Sequence, residues 1–81
     1  MKNKMIKETK IISLGILAQK LGLPKSKLAY YDLIGLIEPA NVMAGGMRVY
    51  SEKEVTKKIK QILKFQDEGM SLQKIKEKFN K

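Results

Sequence analysis

The chain has 81 residues with no Cys and no His, and 17 basic residues against 8 acidic ones give it a formal charge of +9 at pH 7. The missing residue types exclude disulfides, thiolate metal sites and the usual general base, and no run approaches the ~20 apolar residues of a membrane span. Such an excess of positive charge on a small body suits a polyanionic partner. We therefore expect a small, non-enzymatic, cytoplasmic protein with no cofactor, no metal and no membrane partner.

The N-terminal residues 1–12 are predicted to form a basic arm ahead of a domain that spans 13–81. The lysines of the arm fit either a solvated tail, which we favour, or an arm laid along DNA. A first helix is predicted between Ser13, a suitable N-cap, and Gly22, which suits the C′ position. Its apolar side chains recur at the spacing of one helix face: Leu14, Leu17, Ala18 and Leu21.

A second helix is predicted from Pro24, which favours the first helical position, to Ile34, with Gly35 ending it. Leu28 and Tyr31 lie three residues apart and are expected to face inward. The opposite side of the helix carries side chains about 140–200° away from Leu28, and these are Ser26, Tyr30 and Leu33. Two short helices joined by a tight turn predict a helix-turn-helix, although many small helical domains share that pattern.

A two-stranded β-hairpin is predicted after an extended segment at 36–39. Gly45 and Gly46 supply the positive φ angles that a tight turn requires, between strands at 42–43 and 48–50. Because an isolated hairpin is only marginally stable, we expect it to pack against the helices, as a wing does.

Two further helices complete the prediction. Ser51, with Glu54 in a capping box, begins the third helix and Gly69 ends it, and Ser71 caps the fourth. The apolar stripes are Val55, Ile59, Ile62 and Leu63 in the third helix and Leu72, Ile75 and Phe79 in the fourth. The predicted fold class is therefore mainly α, a winged helix-turn-helix of about four helices with one small two-stranded hairpin.

The residues of this pattern resemble the DNA-binding domain that heads regulators of the MerR family. The segment 14–23 resembles the opening of that domain, LAYYDLIGLI at 28–37 followed by Pro39 resembles its second-helix signature, and GGMRVYS at 45–51 resembles its wing. Phe65 with the segment 69–75 resembles the end of the domain. The similarity runs from about Ser13 to Phe79, and the double Tyr combined with the Arg-x-Tyr wing is a specific combination.

The resemblance implies sequence-specific binding of double-stranded DNA in bacterial transcription, by a cytoplasmic protein associated with the nucleoid. The second helix would enter the major groove and the wing would contact the phosphate backbone. The resemblance, together with side-chain chemistry, predicts these DNA-binding residues: Lys25, Ser26, Lys27, Tyr30, Tyr31, Arg48 and Tyr50. For Tyr31 we favour a structural role in the core.

The chain departs from the family at three positions of the second helix and its turn. The family usually has Arg at the position of Ala29, often a basic residue at that of Leu33, and Ser at that of Pro24. Two missing cations predict a salt dependence shallower by ~2 units and weaker binding. If Leu33 and Ile16 are exposed, they instead suggest an apolar contact with a partner chain.

Two alternatives stay open. One is an excisionase-like or architectural DNA-binding protein of modest selectivity, which the missing cations favour, and the other is a protein-interaction module that kept the fold. Full regulators of the family continue into a long pairing helix, so we expect this chain to be either a fragment or a stand-alone member. A homodimer would form through that C-terminal helix, which this chain lacks, or through apolar surface residues.

Overall fold

The computed structural model describes residues 10–80, which form four α-helices and one small sheet around a single core. The helices are α1 (Leu14–Leu21), α2 (Lys25–Leu33), α3 (Glu52–Asp67) and α4 (Leu72–Phe79). The strands are β1 (Ile11–Ser13), β2 (Asn41–Val42) and β3 (Arg48–Ser51). The predicted winged helix-turn-helix is confirmed. Most of the predicted basic arm, residues 1–9, lies outside the described residues.

Serine side chains begin three of the four helices, as the sequence predicts. The Oγ atoms of Ser13, Ser51 and Ser71 each accept a hydrogen bond from the backbone N–H three residues later, at 3.3, 3.4 and 3.2 Å. Each bond satisfies an N–H group that has no partner inside its helix. Gly22 ends α1 in the left-handed conformation, with φ of 72°. These helix limits follow from local sequence alone.

Helix α2 starts at Lys25, one residue later than predicted, because Pro24 has the extended ψ of 140° and occupies the N-cap position. Proline has no side-chain acceptor, and within the described residues no side chain caps this helix. The N–H of Lys27 donates to the carbonyl oxygen of Pro24 at 3.1 Å, but the first turn of α2 lacks the side-chain cap that the other three helices have.

The sheet has three strands rather than the predicted two. Strand β3 is central, with β1 and β2 antiparallel on its two sides. The register pairs Ile12 with Tyr50 and Val42 with Arg48. The prediction placed Ile11 and Ile12 in the arm, because a strand of three residues is too short to show the alternation of apolar and polar residues by which strands are recognised. Pairing with β3 provides their backbone partners, so the third strand is a tertiary feature.

The core lies between the helices and one face of the sheet. Its fully buried large side chains come from every helix, from β3 and from the segment after α2: Leu17, Leu28, Tyr31, Leu36, Ile37, Tyr50, Ile59, Ile62 and Ile75. Leu36 and Ile37, predicted only as an extended segment, are 1% exposed. They enter the core because the chain reverses after α2 at Gly35, whose φ is 85°. No helix in the described range is long and apolar enough to cross a membrane.

Candidate nucleic-acid interface

Helix α2 has one buried face and one exposed face. Leu28 and Tyr31 are buried, as predicted. The exposed face runs the length of the helix and consists of Ser26, Ala29, Tyr30 and Leu33. Tyr30 is 50% exposed and Leu33 is 80% exposed. A continuous face of a short helix is thus available to a partner that fits along it.

The first turn of α2 concentrates positive charge. Lys25 is exposed and Lys27 is half-buried, and the uncapped N–H groups add the positive end of the helix dipole. The stem of Lys25 passes close to α1, since a Cβ atom placed on Gly15 would lie 4.0 Å from Lys25 Cδ. The two helices of the helix-turn-helix therefore meet beside this lysine.

The wing is joined to α2 by Asp32. The Nε and Nη2 atoms of Arg48 donate to its two carboxylate oxygens at 2.9 and 3.0 Å, a two-pronged contact. The Tyr50 hydroxyl also donates to Oδ2 of Asp32. Arg48 and Tyr50 are two residues apart in β3, so their side chains lie on the same face of the strand. A single carboxylate thus connects the last turn of α2 to two side chains of the wing strand.

The sequence-based prediction missed Asp32. A signal existed, because Asp32 is the sole acidic residue in α2. A carboxylate on a helix proposed to approach phosphates would repel them unless a cation neutralised it. Arg48, the only arginine in the chain, is the residue best suited to a two-pronged pairing with that carboxylate.

Electrostatics keep this cluster charged. Burial of Asp32 raises its pKa, but hydrogen bonds from Arg48 and Tyr50 and the charge of Arg48 outweigh burial, so the pKa lies below the usual value. The pKa of Tyr50 is raised, first by burial and then by its bond to Asp32. At neutral pH the cluster therefore contains a carboxylate, a guanidinium and a neutral phenol.

Two of the predicted DNA-binding residues are buried. Tyr31 is 1% exposed, in line with the core role favoured for it, and its hydroxyl donates to Gln66 Oε1 at 3.1 Å. Tyr50 is 0% exposed and its hydroxyl is bonded to Asp32. Burial also raises the pKa of Tyr31. Both phenols therefore have partners inside the domain, and neither ring lies on the surface that α2 exposes.

The remaining predicted residues lie on the surface. Lys25, Ser26 and Tyr30 are exposed on α2, Lys27 is half-buried, and the side chain of Arg48 is 50% exposed despite its contact with Asp32. The two bonds to Asp32 occupy only part of the donor capacity of a guanidinium. The first turn of α2 and the wing arginine are thus accessible from outside while the Asp32 contact holds the wing against α2.

Two groups of lysines outside α2 have a definite arrangement. Lys58 and Lys78 lie over the rings of Phe79 and Phe65, with Nζ 5.3 and 5.4 Å from the ring centroids, and help to join α3 to α4. A second group forms an exposed row along α3, at spacings of four, three and four residues: Lys53, Lys57, Lys60 and Lys64. We call this row the α3 lysine row. It points away from the core, because it lies opposite the buried stripe of α3.

Exposed apolar side chains are concentrated in α2 and the wing. Leu33 is the most exposed, at 80%, and Ile16 on α1 is 50% exposed, as their positions off the inward faces predict. The wing adds Val42, Met43 and Met47. Among the described residues no group of three or more potential metal ligands occurs.

The family comparison agrees with this architecture. A family model described as "MerR HTH family regulatory protein" matches residues 12–81, which include the helix-turn-helix, the wing strands and both C-terminal helices. Comparisons with curated proteins and with solved structures found no match. Because the matched range covers most of the chain, the protein belongs to the MerR HTH regulatory family, whose members are typically non-enzymatic and bind DNA to regulate transcription.

Proposed function

We propose that this protein binds double-stranded DNA sequence-specifically to regulate transcription, with α2 in the major groove and the wing on the phosphate backbone. One observation carries the proposal. The accessible cations of α2 and of the wing belong to one unit, because Asp32 holds Arg48 beside the last turn of α2. A helix that contacts bases in the major groove and a wing that contacts the adjacent phosphate backbone must be held in a fixed relative position to bind the same duplex.

On α2 the first turn and the exposed face supply the contacts. Lys25 and Lys27 attract phosphates, and the backbone N–H groups of Lys25 and Ser26 add donors for a phosphate oxygen. Ser26 and Tyr30 lie on the exposed face and can donate to a base edge or to a phosphate. Specificity would come from a few of these side chains, and most of the affinity from charge.

On the wing the contact belongs to Arg48. Its exposed guanidinium can donate to a phosphate while it remains bonded to Asp32, since it has N–H donors to spare. We assign Tyr50 and Tyr31 positioning roles instead of DNA contacts. Tyr50 orients the Asp32 carboxylate from the wing side, and Tyr31 anchors α2 to α3 through Gln66.

The test is a titration of a labelled pool of random duplex DNA at low and moderate salt, followed by sequencing of the bound duplexes. Wild-type protein is compared with Arg48→Ala and with Lys74→Ala, a matched loss of one exposed cation on α4. We expect an enriched motif, affinity that falls as salt rises, and a loss of about tenfold for Arg48→Ala. Lys74→Ala should bind nearly as well as wild type.

Absence of binding at low salt would refute DNA binding altogether. Equal losses of affinity for the two variants would show that Arg48 contributes only its charge. The proposed contact between the wing and the phosphate backbone would then be wrong. Thermal melts monitored by circular dichroism accompany the titrations, so that an unfolded variant is not counted as a binding defect.

The second candidate is an architectural DNA-binding protein, and the α3 lysine row favours it. Four exposed lysines on one helix face suit sequence-independent attraction to a backbone, because each offers a point charge without fixed geometry. In the same titration this candidate predicts salt-sensitive binding that enriches no motif.

A further inference from the structure

We propose that Leu33 is a specificity-determining residue that reads the methyl group of thymine in the major groove; this inference rests on the proposed function. Thymine alone among the bases presents a methyl group in that groove, and an apolar side chain can distinguish it by van der Waals contact. Leu33 is 80% exposed at the end of the α2 face that would enter the groove.

The position of Leu33 on α2 supports this role. It shares the exposed face with Ser26, Ala29 and Tyr30, so a duplex contacting that face would meet Leu33 as well. Leu33 lies seven residues after Ser26, or about 10.5 Å along the helix axis. At ~3.4 Å per base pair this distance corresponds to about three base pairs. We therefore expect the thymine about three base pairs from the position contacted by the first turn.

The negative charge of Asp32, next to Leu33, does not keep this end of α2 away from DNA. Asp32 precedes Leu33, and a bare carboxylate there would repel the phosphates on either side of the groove. The Asp32 side chain is only 11% exposed and is paired with Arg48. The carboxylate is therefore neutralised within the domain. It does not prevent the C-terminal end of α2 from approaching DNA, and Leu33 can contact the bases.

A protein partner fits this position less well than DNA. A stable protein interface buries about 800 Å² on each side, whereas the exposed face of α2 itself consists of one leucine, one alanine, one half-exposed tyrosine and one serine. The same helix begins with Lys25 and Lys27, which suit a polyanion. An isolated exposed leucine is ordinary on a protein surface, but here it occupies the face of α2 that the proposed function places against base edges.

The experiment uses the duplexes enriched from the random pool, resynthesised with deoxyuridine in place of thymidine at one motif position at a time. This replacement deletes one methyl group and leaves the hydrogen-bonding edge unchanged. For wild-type protein we expect about fourfold weaker binding at one thymine, the loss that corresponds to uncovering one methyl-sized apolar group. At that position Leu33→Ala should bind thymidine and deoxyuridine duplexes equally.

Two further variants sharpen the result. Leu33→Lys should bind random duplex more tightly and with a steeper salt dependence, yet lose the methyl preference. Ile16→Ala removes an exposed apolar side chain from α1 and should keep the full preference for thymidine.

Two outcomes overturn the inference while leaving sequence-specific DNA binding intact: no effect of deoxyuridine at any position, and an undiminished methyl preference in Leu33→Ala. Binding that enriches no motif would instead overturn the proposed sequence-specific function and favour the architectural candidate. A change in sedimentation behaviour of Leu33→Ala without loss of methyl preference would assign Leu33 to a protein contact instead. Failure of the wild-type protein to bind any duplex would refute DNA binding altogether.

Discussion

Asp32 is the residue on which the arrangement of the interface depends. Its carboxylate accepts two hydrogen bonds from Arg48 and one from Tyr50, and so joins α2 to β3. A negative charge near a DNA-binding face would ordinarily weaken binding. In this domain Asp32 favours DNA binding by positioning Arg48 and opposes it by its negative charge. A substitution of Asp32 shows which of these two effects on affinity is larger.

We predict that Asp32→Asn weakens DNA binding by about tenfold, although it makes the protein more positive by one charge. The asparagine amide cannot accept both prongs of Arg48, so the wing arginine loses its fixed orientation. Fluorescence anisotropy with the enriched duplex measures the effect, and Glu77→Gln, an equal charge change on an exposed residue of α4, is the control. Tighter binding by Asp32→Asn would show that the carboxylate acts only through charge.

Acid titration gives an independent prediction for Asp32. Its native pKa lies below the usual value, because the bonds from Arg48 and Tyr50 outweigh burial. Its contribution to the free energy of unfolding is therefore fully present above the ordinary aspartate pKa of about 3.9, and is lost as the pH falls through the lower native pKa. Urea denaturation between about pH 2 and pH 6 should show a smaller loss of stability for Asp32→Asn than for wild type. Parallel curves would mean that the pairing contributes no pH-dependent stability.

At the scale of elements, short signals in the sequence determine where helices start. Ser13, Ser51 and Ser71 form the bonds expected of N-caps, and a glycine in the left-handed conformation follows α1. Helix α2 is the exception, since Pro24 supplies no side-chain acceptor. The helix proposed to contact DNA is therefore the one whose first N–H groups have no cap.

We predict that Ser13→Ala, Ser51→Ala and Ser71→Ala each lower the free energy of unfolding by about 1 kcal/mol. Ser51 should show the largest loss, because it is 7% exposed and ends β3 as well as beginning α3. The control is Ser26→Ala on the exposed face of α2, which should change stability by less than about 0.5 kcal/mol. Urea denaturation at neutral pH measures all four. A loss at Ser26 equal to that at Ser51 would contradict the capping assignment.

At the scale of the whole molecule, the charge of +9 does not reveal which surface meets DNA. The first turn of α2 and the α3 lysine row are both exposed and basic. Counterion release distinguishes them, because only lysines that lie on phosphates change the dependence of the binding constant on salt.

We predict that the double variant Lys25→Gln/Lys27→Gln makes the negative slope of log K against log[salt] shallower by about 1.8, or about 0.9 for each lost phosphate contact. The matched variant Lys57→Gln/Lys60→Gln removes the same charge from the α3 lysine row and should leave the slope nearly unchanged. Anisotropy titrations over a range of salt concentrations measure both. A larger loss of steepness for the α3 variant would place the duplex on that helix and support the architectural candidate.

The amino-acid sequence by itself determined the four helices, the turn between Met43 and Met47, the inward faces and the family signature. These features depend on contacts only a few residues apart, such as caps, helical periodicity and paired glycines. The exposure of Leu33 and Ile16 also followed from helical phase alone, since both lie off the buried stripes.

Only the tertiary structure decided the third strand, the burial of Tyr50 and the pairing of Arg48 with Asp32. Ile11–Ser13 becomes a strand because β3 offers it a backbone edge, about 40 residues away along the chain. Tyr50 was predicted to contact phosphate from its side-chain chemistry, but β3 packs on the core and directs its hydroxyl to Asp32. Such contacts join distant parts of the chain. The lone aspartate of α2 and the single arginine suggest this pairing by charge, but only the folded chain brings the two side chains within hydrogen-bonding distance.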